Sequence, residues 1–130
     1  MEKSFTLVEC IIVLIIVIII MAAFMPIFSK VKEKNLDREA FVYLNMLQQA
    51  EKTRKFETGA YYPSAGIQSD IPTINSNLRL MLPLPIIGHS WDFTVKSTGC
   101  VQATRNGGDS RSWCLSISSI TAPVSGTSCP

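Results

Sequence analysis

A single carboxylate, Glu9, stands at the head of the most apolar stretch of this 130-residue chain. The next 19 residues, from Cys10 to Phe28, carry no charge. As a helix they would extend about 28 Å at a rise of about 1.5 Å per residue, close to the hydrocarbon thickness of a bilayer. A Glu drawn into that layer costs roughly 2.5–3.5 kcal/mol, so it needs a cationic partner there. Thr6-x-x-Glu9 also has the spacing of a capping box, and the two interpretations are compatible.

Residues with enzymatic chemistry are scarce elsewhere. His89 is the one histidine of the chain, and no cysteine or carboxylate accompanies it at metal-ligand spacing. Asp92 and Asp109 could meet near a sheet edge and bind calcium there, but two isolated carboxylates are a weak signal. Glycine-rich phosphate loops are absent from the sequence. We therefore expect no enzyme activity, no catalytic residues, no metal and no cofactor.

The charge balance argues against nucleic acid as a partner. After residue 28 the chain has eleven Lys and Arg residues against eight Asp and Glu residues, a net charge of only +3. Lys30, Lys32 and Lys34 follow the apolar run where lipid headgroups would lie. A solvated helix face explains these lysines equally well.

Three of the four cysteines lie in the C-terminal part of the chain. Cys100, Cys114 and Cys129 form an odd set, so one thiol is left over or pairs between molecules. Cys100 and Cys114 have the outward parity of their predicted strands, which allows a link across a hairpin. Cys114 and Cys129 would instead close a 15-residue loop and hold the tail. Cys10 lies within the apolar run and is expected to act as a small apolar residue.

A long helix must position Glu9 and the apolar run. Neither Gly nor Pro interrupts residues 30–57, and Gly59 stands where a helix C-cap is expected. One helix from about Phe5 to Glu57 would measure roughly 80 Å. Pro26 removes one backbone hydrogen bond, which predicts a bend or local melting there. Apolar residues recur at three- and four-residue steps in the second half and predict a stripe that packs on a sheet: Leu36, Ala40, Tyr43, Leu44, Leu47 and Ala50.

The residues after Gly59 predict a small antiparallel sheet. Residues 64–90 are expected to form a loop that packs its leucines on the core, with one short helical turn near Asn75. Alternating apolar residues predict three strands, with a hairpin loop over 106–110 between the last two: Trp91–Lys96, Cys100–Arg105 and Ser112–Ser118. The expected fold is α+β, a long N-terminal helix packed on a sheet of three or four strands.

The N-terminal residues Met1-Glu-Lys-Ser4 and Phe5-Thr-Leu-Val-Glu9, with the apolar run, resemble those of type IV pilins and of type II secretion pseudopilins. In that family a prepilin peptidase removes a short leader and methylates the new N-terminus. The resemblance implies cleavage between Ser4 and Phe5, where the family carries Gly in place of Ser4. Residues 1–4 would be the leader, 5–28 the membrane and filament-core helix, 29–58 its amphipathic half, and 59–130 the β domain.

The resemblance also implies roles for individual residues. Glu9 would be the fifth residue of the mature chain, where the family Glu pairs with the N-terminal amine of Phe5 in a neighbouring subunit. Pro26 matches a family position near which relatives unwind. The C-terminal disulfide loop of many pilins favours the Cys114–Cys129 pairing.

The implied function is that of a structural subunit of a type IV pilus-like filament. Its partners would be further copies of itself, the prepilin peptidase, the assembly machinery and the lipids of the inner membrane. The chain would cross that membrane once with a periplasmic C-terminal domain, and would then enter an extracellular pilus or a periplasmic pseudopilus. The basic residues after the run favour the opposite orientation by the positive-inside rule. We nevertheless expect a periplasmic C-terminal domain, because of the family motif and the three C-terminal cysteines.

Other functions fit the same sequence. A pseudopilin of a type II secretion system shares the N-terminal motif. A single-span anchored binding module that does not polymerise belongs to another class. An ordinary secretory signal fits less well, because the apolar run is too long and no A-x-A site follows it.

Overall fold

The computed structural model describes residues 6–84, 90–107 and 109–126. A single helix, α1, covers Leu7–Thr58, and Thr6 caps its first turn. Helix α1 ends at Gly59, whose positive φ of 80° suits a residue without a side chain, and whose N–H donates to the Lys55 carbonyl at 2.9 Å. The predicted helix therefore exists. Phe5, its predicted first residue, lies outside the described residues.

The chain divides into two compact units at Asn35 and Leu36, so α1 contributes to both. We call the part from Leu36 onward the sheet unit. After α1 it contains β1 (Ile67–Gln68), α2 (Ile71–Leu78), β2 (Trp91–Lys96), β3 (Cys100–Arg105), β4 (Ser112–Ser116) and β5 (Val124–Ser125).

The strands form one antiparallel meander in the order β1-β2-β3-β4-β5. The α+β fold is confirmed, with five strands where three or four were predicted. The two additional strands, β1 and β5, have two residues each. The predicted bounds of β2 and β3 match the structure, whereas β4 ends at Ser116 and not at Ser118.

The core lies between the sheet and the C-terminal half of α1. Ala40, Leu44 and Leu47 are fully buried on the helix side. The strands contribute alternate residues to the same core: Trp91, Phe93, Val95, Val101, Ala103 and Leu115. The apolar stripe of the helix therefore packs against the alternate apolar residues of the strands in a single core.

Helix α2 is longer than the single turn predicted near Asn75. Asp70 caps it by accepting from the Thr73 N–H at 3.1 Å, and Pro72 lies in its first turn, where a missing N–H costs nothing. The side chain of Asn75 then pairs with the backbone of Leu82, accepting at 2.8 Å and donating at 3.0 Å. This amide ties the following loop to α2, so Leu82 is buried in the core.

Candidate functional site

The first half of α1 has a continuous apolar surface, which we call the apolar segment, Leu7–Phe28. Every residue of this segment is exposed. An 18-residue window of α1 has a mean hydropathy of 3.3, and none of that window is buried. By length and composition α1 could cross a membrane, and no other helix of the described residues has these properties. The segment is not the core helix of its own unit, because nothing in the described chain covers it.

Glu9 lies at the N-terminal end of the apolar segment and closes the predicted capping box with Thr6. The Glu9 N–H donates to Thr6 Oγ1 at 3.4 Å, and the Thr6 N–H donates to Glu9 Oε2 at 3.5 Å. Both distances are at the long end for hydrogen bonds, and the carboxylate is exposed. It therefore retains lone pairs for a cationic partner outside the chain.

Of the predicted assembly residues Ser4, Phe5 and Pro26, the structure describes only Pro26. Ser4 and Phe5 lie outside the described residues. At Pro26 the helix continues without a break, so local melting is not what the structure shows there. Ser29 Oγ donates to the Pro26 carbonyl at 3.1 Å, whereas the carbonyl that loses its helical partner at Pro26 is that of Ala22. The predicted kink at Pro26 stays a prediction.

Two of the predicted disulfide cysteines lie close together. Cys100 and Cys114 are buried on adjacent strands, and their Sγ atoms are 3.2 Å apart. This is the pair for which the sequence allows a link across a hairpin, and neither of the two is a free cysteine. Both residues have the predicted outward parity of β3 and β4, with Gln102 opposite Cys114. Cys129 lies outside the described residues, so its pairing stays a prediction, and Cys10 is an exposed free cysteine.

Asp92 and Asp109 are the two carboxylates considered for a calcium site. Asp109 forms an ion pair with Arg111 in the loop between β3 and β4. No group of three His, Cys, Asp or Glu side chains in the described part of the chain could hold a metal ion. His89 lies outside the described residues.

An unpredicted polar cluster links α1 to β4. Arg111 Nη1 lies 3.2 Å from Asp37 Oδ2, and the indole N–H of Trp113 donates to Asp37 Oδ1 at 3.3 Å. The Trp113 ring also meets Phe41 edge-on, with ring centroids 4.7 Å apart. The sequence shows that Asp37 and Phe41 share one face of α1, because they are four residues apart. It does not show their partners, which are more than 70 positions away.

A second feature that the sequence did not reveal is the buried carboxylate of Glu51. It is fully buried, and its Oε2 accepts from the Tyr62 N–H at 2.8 Å. Its Oε1 has no hydrogen-bond partner among the described residues. Burial raises the pKa of the Glu51 carboxyl, and the Tyr62 hydrogen bond and the charge of Arg54 oppose that rise. Glu51 continues the apolar stripe at the position four residues after Leu47, which is the signal that could have found it.

Tyr61 and Tyr62 pack where α1 ends. The Lys55 ammonium lies 4.2 Å from the centre of the Tyr61 ring, and the Arg54 guanidinium lies 4.8 Å from that of Tyr62. Both tyrosines are half-buried against the core. They form part of the fold at this corner.

An open groove of about 860 Å³ runs along the sheet unit between α1 and the end of α2. Val42, Met46 and Ala50 form its apolar side, and Arg54 and Arg79 are its cations. The volume of this groove is in the range of small-molecule sites.

Comparison of the chain with protein-family models, with curated proteins and with solved structures found no match. The function must therefore be argued from the apolar segment, Glu9 and the sheet unit themselves.

Proposed function

We propose that this protein is a structural subunit of a type IV pilus-like filament, stored in the inner membrane and polymerised through its N-terminal helix. The observation that supports this most is the uncovered apolar segment headed by one carboxylate. An apolar surface of this extent needs lipid or copies of itself to remove it from water. The membrane that stores the subunit provides lipid first, and the filament then provides neighbouring helices.

Glu9 gives this packing a register. Apolar helices can slide past one another, because one aliphatic contact is much like the next. A carboxylate in an apolar filament core is costly alone and far less so beside a cation. The amine of a processed Phe5 in the adjacent copy supplies that cation at one axial position only. The capping bonds with Thr6 are long, so they leave the carboxylate able to accept it.

The test replaces Glu9 by Ala in the native cell. We expect the Glu9→Ala variant to enter the membrane as well as the native chain, because the apolar segment is unchanged. We expect filaments in the sheared surface fraction to fall at least tenfold, because register is lost. Immunoblots of the membrane and sheared fractions measure both quantities.

Glu39→Ala is the matched control, since Glu39 is also an exposed carboxylate on α1. It should leave filament yield unchanged. Normal filament yield from Glu9→Ala would refute the register role of Glu9.

Two other functions stay open to the same experiment. A pseudopilin of a type II secretion system would use the same helix, and its loss would stop secretion without surface filaments. The groove between α1 and α2 favours a single-span anchored binding module. Such a module would remain in the membrane fraction after shearing, whether or not Glu9 is changed.

A further inference from the structure

Three lysines follow the apolar segment on α1, and we call them the lysine collar: Lys30, Lys32 and Lys34. All three side chains are exposed. At 3.6 residues per turn, Lys34 lies about 40° around the helix from Lys30, and Lys32 lies about 200° from it. The cations therefore stand on both sides of the helix. Such an arrangement suits a partner that surrounds the helix better than one that binds a single face.

The axial position of the lysine collar matches the headgroup layer of a bilayer. If Phe28 marks the end of the hydrocarbon, the three Cα atoms lie about 3, 6 and 9 Å beyond it at the helical rise. Headgroups add about 5–7 Å on each side of the hydrocarbon core. A lysine side chain is long and flexible enough to turn back toward that layer, so Lys34 also reaches it.

Each lysine of the collar is exposed, so its ammonium group can reach a partner outside the chain. The three ammonium groups face outward from α1.

We propose that the lysine collar binds the phosphate groups of anionic lipids where α1 leaves the bilayer. This inference rests on the membrane placement in the proposed function. An ammonium group beside a phosphate gains charge pairing that a zwitterionic lipid offers only weakly. Each such cation is expected to favour anionic lipid about fivefold, and less at high salt.

The experiment places the purified full chain in nanodiscs that contain phosphatidylglycerol and phosphatidylcholine in equal amounts. Native mass spectrometry then counts the lipids that stay bound after the disc is dissolved. We expect phosphatidylglycerol to exceed phosphatidylcholine at least tenfold on the native chain. The triple variant K30S/K32S/K34S should bind the two lipids about equally.

Two control variants separate position from charge. K30R/K32R/K34R keeps the cations and should keep the preference. K52S/K55S/R79S removes three cations elsewhere in the chain and should also keep it. A preference that survives in K30S/K32S/K34S overturns the proposal but leaves the proposed function intact. A native chain that does not enter the nanodiscs overturns both, because the membrane placement itself then fails.

Discussion

At the scale of single residues, Glu51 makes the stability of the sheet unit depend on pH. Its carboxyl is buried, and that burial raises its pKa above the ordinary value of 4.5. The folded state therefore holds this proton more tightly than the unfolded chain does. The stabilisation from the neutral form is complete below about pH 4.5 and is lost as the pH rises through the folded pKa.

The substitution Glu51→Gln tests this linkage. Gln keeps an acceptor for the Tyr62 N–H but has no charge to desolvate. We expect the variant to become more stable relative to the native chain, with a larger free energy of unfolding, between pH 4 and pH 7. Thermal unfolding of the full chain in mild detergent, followed by the near-UV signal of Trp91 and Trp113, measures this difference.

Glu57→Gln supplies the comparison for Glu51, because Glu57 is an exposed carboxylate on the same helix. Its stability relative to the native chain should not change over this range. An equal pH response from the two variants would show that burial of Glu51 has no energetic consequence.

At the scale of elements, the cluster of Asp37, Arg111 and Trp113 fastens α1 to β4. Its two contacts to the Asp37 carboxylate are partly shielded from water, which makes them stronger than a surface ion pair. We expect Asp37→Ala to lower the free energy of unfolding of the sheet unit by about 1–2 kcal/mol. At roughly 4–8 °C per kcal/mol for a unit of this size, the loss is visible in a melting curve.

The carboxylate and its charge can be separated at this position. Asp37→Asn keeps an acceptor for the Trp113 indole but loses the ion pair, so its melting temperature should lie between those of the native chain and Asp37→Ala. Glu39→Ala, two residues further along α1 and exposed, should leave the melting temperature nearly unchanged. Equal melting temperatures for Asp37→Ala and Glu39→Ala would contradict the role of the cluster.

The elements differ in how well the sequence predicts them. Strands β2 and β3 each have six residues, enough for alternation to show both bounds. Strands β1 and β5 have two residues each, and two residues carry no period. Residues 64–90 were predicted to form a loop with one helical turn, whereas Ile71–Leu78 form α2, and Pro72 lies in its first turn, where a missing N–H does no harm.

The residues of the candidate site also differ in how well the sequence predicts them. The apolar segment and the capping box of Glu9 are local patterns, so the sequence predicts them directly. Glu51 and Asp37 were missed because their partners, Tyr62, Arg111 and Trp113, belong to other elements. The hydrogen-bond or ion-pair partner of a polar residue beside an apolar stripe can be identified only when the surface that packs on the stripe is known.

At the scale of the whole molecule, the two units differ in how they treat apolar surface. The sheet unit buries a core of large side chains that includes Leu44, Leu47 and Phe93. The apolar segment buries none of its own. The apolar segment leaves its surface exposed to water, and contact with lipid or with other copies of the chain would remove that exposure. This is the physical basis of the proposed filament.

The central claim is that this chain is processed at its N-terminus and then polymerises. The most direct measurement is the mass spectrum of the protein sheared from its native cells. We expect a chain that lacks Met1–Ser4 and begins with methylated Phe5. A full-length chain that still carries Met1, found only in the membrane fraction, would contradict it.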